Sequence, residues 1–132
     1  MIKKLWRRDR NIDHHSNPET EQQRIGKKAE LAAETFLISK GLRPICRNFT
    51  CKRGEIDLIM QDNDTYVFIE VRQRQNAMFG SAAETVTAQK QQKVRLSAQL
   101  FLQQKRLFEK VAMRFDVVAI TQGKIDWIEA AF

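Results

Sequence analysis

Two runs of this chain read as paired β-strands that carry acids where a core strand carries apolar residues. Gly54-Glu55-Ile56-Asp57-Leu58-Ile59 is followed, after the polar Asp62-Asn63-Asp64, by Val67-Phe68-Ile69-Glu70-Val71-Arg72. Short apolar runs on either side of a tight polar turn predict an antiparallel hairpin. Strict alternation sets Glu55, Asp57 and Ile59 on one face of the first strand, opposite Ile56, Leu58 and Met60. On the second strand it sets Phe68, Glu70 and Arg72 opposite Val67, Ile69 and Val71. Asp57 and Glu70 then become near neighbours on one face. Two desolvated carboxylates at that distance raise each other's pKa unless a cation lies between them. The hairpin therefore demands a sheet in which an apolar core gives way to a charged site.

The flanking segments supply that sheet. A helix is expected after Asn17-Pro18, with Glu19 and Glu21 complementing its dipole and Gly41 ending it. Its stripe is Ile25, Ala29, Ala32, Ala33, Phe36 and Leu37, with Glu30 and Glu34 one turn apart at the border. Strands are predicted over about 43–50, 55–61 and 65–74. A loop over about 75–85 contains Phe79, and a helix over about 86–106 starts at Thr85 or Thr87. Residues 113–121 form a further strand, and Gln122-Gly123-Lys124 turns into a last one, Ile125 to Ile128. The order is α-β-β-β-α-β-β. The second helix is long enough for a right-handed crossover, so the strands on either side of it run parallel. The fold class is mixed α/β, a mixed β-sheet flanked by helices.

A length of 132 residues fits one domain, placed over 18–132, after a flexible basic arm over 1–17. The net charge of +7 favours a polyanionic partner, nucleic acid above all. No run approaches the ~20 apolar residues that span a bilayer. The basic opening Met1-Ile2-Lys3-Lys4 lacks the apolar stretch of a signal peptide, so no membrane association and a cytoplasmic location are expected. Cys46 and Cys51 are read as reduced and structural, because no further ligands stand at zinc-site spacing.

The acidic pair suits a hard divalent ion, Mg²⁺ or Mn²⁺, with oxygen ligands and waters. Such an ion lowers the pKa of a bound water and neutralises charge developing on a phosphate. Asp57…Glu70-x-Arg72 nearly spells the D…(D/E)-x-K signature of metal-dependent nucleases, with Arg in the lysine position. Arg72, Arg74, Lys90 and Lys93 are candidate phosphate contacts, and Phe79 is a candidate base-stacking or wedging side chain. Each also has an ordinary reading. Arg72 can pair with Glu70 or Asp57 in a salt-bridge ladder, the lysines can form a solvated face, and Phe79 can pack on the core.

Taken together, Gly26, Glu30, Ala33, Phe36-Leu37, Gly41, Arg47-Asn48, the Gly54–Ile59 and Val67–Arg72 blocks, Phe79-Gly80, Lys90 and Arg114-Phe115-Asp116-Val117-Val118 resemble the YraN family. The resemblance covers about residues 22 to 132. It implies a restriction-endonuclease-like core related to Holliday-junction resolvases. In that core Asp57 and Glu70 are the metal ligands, and Glu30, a third acid from the first helix, joins them at the metal. Arg72 falls where active nucleases place a catalytic lysine. Resolvase-like relatives act as dimers, so a homodimer is expected on the same ground. Arg stays protonated and presents a wide fork, so it is no simple stand-in for an ammonium. Three readings follow: a metal-dependent nuclease acting on branched or damaged DNA, a non-catalytic nucleic-acid-binding module on the same scaffold, and a protein-interaction adaptor.

Overall fold

The computed structural model of the protein describes residues 18–75 and 83–132. Helix α1 (Glu21–Ser39) begins at Thr20, whose hydroxyl accepts from the Gln23 N–H while the Gln23 side chain returns the bond to the Thr20 N–H. This reciprocal cap satisfies two of the donors a helix start leaves open. Ala29, Ala33 and Leu37, spaced four apart, form the buried line of α1. Ile25 and Ala32, expected in the same stripe, instead line an open groove beside Gln73 and Ile120. Glu34 is buried in that stripe because Arg47 grips it with a two-pronged hydrogen bond at 2.7–3.1 Å.

Five strands follow: β1 (Arg43–Cys51), β2 (Gly54–Asp62), β3 (Thr65–Arg74), β4 (Ala112–Thr121) and β5 (Lys124–Ile128). They form one sheet in chain order. Neighbours are antiparallel except β3 and β4, which run parallel in register from Thr65↔Ala112 to Arg74↔Thr121. Helix α2 (Ala88–Gln104), capped by Thr87, makes the crossover between them. The β2–β3 turn is tight, with Asn63 at φ 54°, a conformation that Asn tolerates better than most residues.

A helix covers each face of the sheet. Under α1 lie Leu58, Met60, Val67, Ile69, Val118 and Ile120. Ile56, Ile59 and Phe68 pack with Val94, Ala98, Phe101 and Leu102 of α2. Phe101 meets Phe49 and Phe68 edge-on, with centroids 5.2 and 6.1 Å apart. That geometry aligns a positive ring edge with a negative ring face.

The uniform alternation expected for β2 fails at one point. Ile56 belongs to the α2 core, whereas Leu58 and Met60 belong to the α1 core, so they do not share a face. Ile59 joins Ile56 rather than an acidic face. The slip falls at Asp57. Across from it the pairs Phe49↔Ile56 and Arg47↔Leu58 flank Asn48, which has φ 52°. Pairing of β2 with β3 runs from Asp62↔Thr65 to Leu58↔Ile69 and stops, while β1 stays with β2 as far as Cys51↔Gly54. Side-chain facing reverses at Asn48 and Asp57 while the β1–β2 register is unchanged across them, the register shift of β1 lying between Pro44 and Cys46, and the reversal coincides with the parting of β2 from β3. This frees Asp57 from either core.

Candidate metal centre

Asp57 and Glu70 lie where β2 and β3 part. Asp57 Oδ2 accepts from the Val71 N–H at 2.9 Å, and the Asp57 N–H lies 3.5 Å from Glu70 Oε2. Each acid is thus oriented by the strand that carries the other. Glu70 shares its face of β3 with Phe68, toward α2, and is only 1% exposed. The Lys90 ammonium, from the first turn of α2, sits 3.3 Å from Glu70 Oε1.

Burial raises Asp57 from the ordinary carboxylate value to about 7, the Glu70 charge adds to the rise, and Glu30 adds a smaller push. The Val71 N–H and Lys90 oppose it only in part. Burial also lifts Glu70, against the opposing charges of Lys90 and Arg72. Near neutral pH the pair therefore holds less than its full negative charge. A cation that replaced the missing hydration would restore it.

The donor set fits a divalent ion of the hard class. Asp57 Oδ1 has no hydrogen-bond donor among the described residues, and the only one near Glu70 Oε2 is the Asp57 N–H. Mg²⁺ characteristically uses one or two carboxylates and keeps several waters. Glu30 stands apart: Asn48 Nδ2 donates to its Oε1 at 2.9 Å. Among the described residues no three Asp, Glu, His or Cys side chains converge closely enough to enclose an ion. An open cleft of about 570 Å³ is lined by Glu30, Asn48 and Glu55, and neither Asp57 nor Glu70 lines it. Charge and burial single out the acid pair, and the cleft does not.

The cations divide. Arg72 shares the Glu70 face, and its Nε is buried with no hydrogen-bond partner among the described residues. A buried donor left unmet costs about 1–3 kcal/mol. Lys90, read from sequence as a phosphate contact, is turned onto Glu70. Lys93 is exposed one turn further along α2. Arg74 Nε donates to Thr121 Oγ1 at 3.3 Å, across to β4. Phe79 and the basic arm over 1–17 lie outside the described residues. Cys46 and Cys51 are both free thiols. No helix among the described residues is long and apolar enough to cross a membrane.

Sequence patterns alone left two contacts hidden. Lys90 reaches Glu70 only because the crossover docks the start of α2 over that end of β3. Asp116, fully buried, accepts a two-pronged bond from Arg114 at 2.9 and 3.0 Å, with Trp127 Nε1 and the Ala130 N–H each at 2.9 Å. Every partner is a neutral or cationic donor, so this buried acid ties the last strands together and forms no site.

Known proteins agree on kinship. The model of the uncharacterised protein family UPF0102 matches residues 29–120. A UPF0102 protein of Saccharophagus degradans is 55% identical over 107 residues, covering 81% of this chain and 91% of that protein. One from Ectopseudomonas mendocina is 49% identical over 111 residues, 82% and 93% of the two chains. A third, from Pseudomonas syringae pv. tomato, is 45% identical over 124 residues, 87% and 97%. The chain belongs to the UPF0102 family, the YraN family that its strand motifs resemble.

Proposed function

We propose that this protein is a metal-dependent nuclease of restriction-endonuclease-like fold that binds DNA and hydrolyses phosphodiester bonds, in branched or damaged DNA. The observation that carries the reading is the acid pair itself, held at a break in a sheet by reciprocal strand contacts and with Asp57 raised to about 7. A scaffold has little use for two buried like charges, whereas a metal site requires them.

Asp57 and Glu70 would hold Mg²⁺ or Mn²⁺, with Glu30 acting from α1 through its field rather than as a direct ligand. When bound, the ion supplies a water of lowered pKa and a counter-charge for phosphate. The protein's own residues do the rest. The Val71 N–H fixes the Asp57 carboxylate, and the parted strands keep apolar side chains off it. Arg72 is half-buried on the Glu70 face, and guanidinium geometry suits a phosphate oxygen. The net charge of +7 draws the polyanion in.

The test is cleavage by contaminant-free protein of linear, forked and four-way DNA with Mg²⁺ or Mn²⁺. Metal-dependent products from the wild type, absent with Asp57→Ala of unchanged fold, support the reading. No product from any substrate with either metal sinks it. In that case salt-dependent DNA binding would leave the binding-module reading standing, and its absence would leave the adaptor.

A further inference from the structure

We propose that Lys90, on the first turn of α2, supplies the ammonium that faces the reacting phosphate, so that the catalytic cation comes from the helix and not from position 72 of the strand. This rests on the nuclease reading above and names a residue within the same site.

Four observations point to Lys90. Its Nζ is 3.3 Å from Glu70 Oε1, and no other lysine or arginine among the described residues is within 4.0 Å of either acid of the pair. Its side chain is 33% exposed, so the ammonium bridges the buried carboxylate and the solvent side from which a phosphodiester must arrive. Its backbone is fixed, because the Lys90 N–H donates to the capping Thr87 Oγ1 at 3.2 Å. Finally, it stands against local preference. The start of a helix carries partial positive charge and disfavours a cation there, and α2 has no acid in its first turn to offset one. A cation kept where its own helix repels it is held for what lies across from it.

Arg72 does not compete for this place. It lowers Glu70 by its charge yet makes no hydrogen bond to it, and its Nε is buried and unmet. The compact ammonium of Lys90, by contrast, stands against the acid pair.

In hydrolysis a water oxygen bonds to phosphorus, and the bond from phosphorus to one ester oxygen breaks with its electron pair staying on that oxygen. A proton lost by the attacking water passes through solvent to the leaving oxygen. The Lys90 ammonium stabilises the added negative charge on the phosphorane oxygens.

The experiment compares wild type, Lys90→Gln and Arg72→Gln in the full chain. It measures single-turnover cleavage, with protein in saturating excess and saturating Mn²⁺, of whichever of the linear, forked or four-way DNAs the wild type cuts, DNA affinity in EDTA, and Mn²⁺ affinity by electron paramagnetic resonance. Lys90→Gln is expected to slow cleavage by about 100-fold or more, the typical loss when one charge-stabilising donor is removed. Its Mn²⁺ affinity should be equal or tighter, because a cation competing for Glu70 has gone. Arg72→Gln should weaken DNA binding by about tenfold. Lys90→Gln cleaving within about fivefold of wild type overturns the proposal. So does a loss of cleavage matched by weakened Mn²⁺ binding, since that marks a structural role. If the wild type cuts nothing, the nuclease reading falls and takes this inference with it. If the wild type cuts and Lys90→Gln cuts equally, only the inference falls.

Discussion

Asp57 on β2 accepts its hydrogen bond from the Val71 N–H on β3, 2.9 Å away, at the point where the two strands stop pairing. A backbone donor that would continue the ladder is spent on a carboxylate instead. The sheet is broken and the acid is held by one and the same bond. Site and scaffold therefore predict different responses to substitution.

Asp57→Asn is expected to stabilise the metal-free protein at alkaline pH. Folding raises the Asp57 carboxyl from 3.8 to about 7. A raised folded pKa gives stability that is present below about pH 4 and is lost as pH rises through about 7. The amide carries no charge to desolvate, so the variant gains roughly 2–4 kcal/mol over wild type at pH 8 and little at pH 4. Urea unfolding in EDTA at both pH values measures the gap. A gap of equal size at the two would contradict the assigned cause.

Asp116→Ala tests the scaffold. It strips the carboxylate from Trp127 Nε1 and the Ala130 N–H and takes the buried partner from Arg114, which keeps Asp62 and Glu129. Removing one member of a buried charge network typically costs about 3–5 kcal/mol. The urea midpoint should fall accordingly. A loss under about 1 kcal/mol would mean that water replaces the carboxylate freely.

Asn48 separates backbone from side chain. Its φ of 52° suits Asn or Gly and strains a β-branched residue. Asn48→Gly should stay within about 1 kcal/mol of wild type, while Asn48→Val should lose about 2 kcal/mol or more. Equal stability of the two, read from thermal unfolding, would show that the slip at Asp57 does not depend on this conformation.

Much of this architecture was legible in the residues. The periods of the two helices, the turn at Asn63-Asp64 and the length of the crossover predicted the element order and the parallel β3–β4 pair. Asp57 and Glu70 were also rightly brought together, because a short hairpin leaves them few other places. What failed was the facing of β2, since counting by twos assumes unbroken pairing and Asn48's backbone breaks it. Glu34 reads as a border acid until Arg47 is seen across the fold, and Ile25 reads as core until the edge of the sheet is known. Lys90 shows the same limit. A helix period says which residues share a face, and only docking says which strand residue that face meets.

The most direct measurement is a crystal structure of the protein soaked with Mn²⁺, with data collected at the manganese edge. The account predicts an anomalous peak between the carboxylates of Asp57 and Glu70, reached by both, and no peak there in Asp57→Ala. A wild-type map with no peak at the pair, or a peak that persists without Asp57, would contradict it.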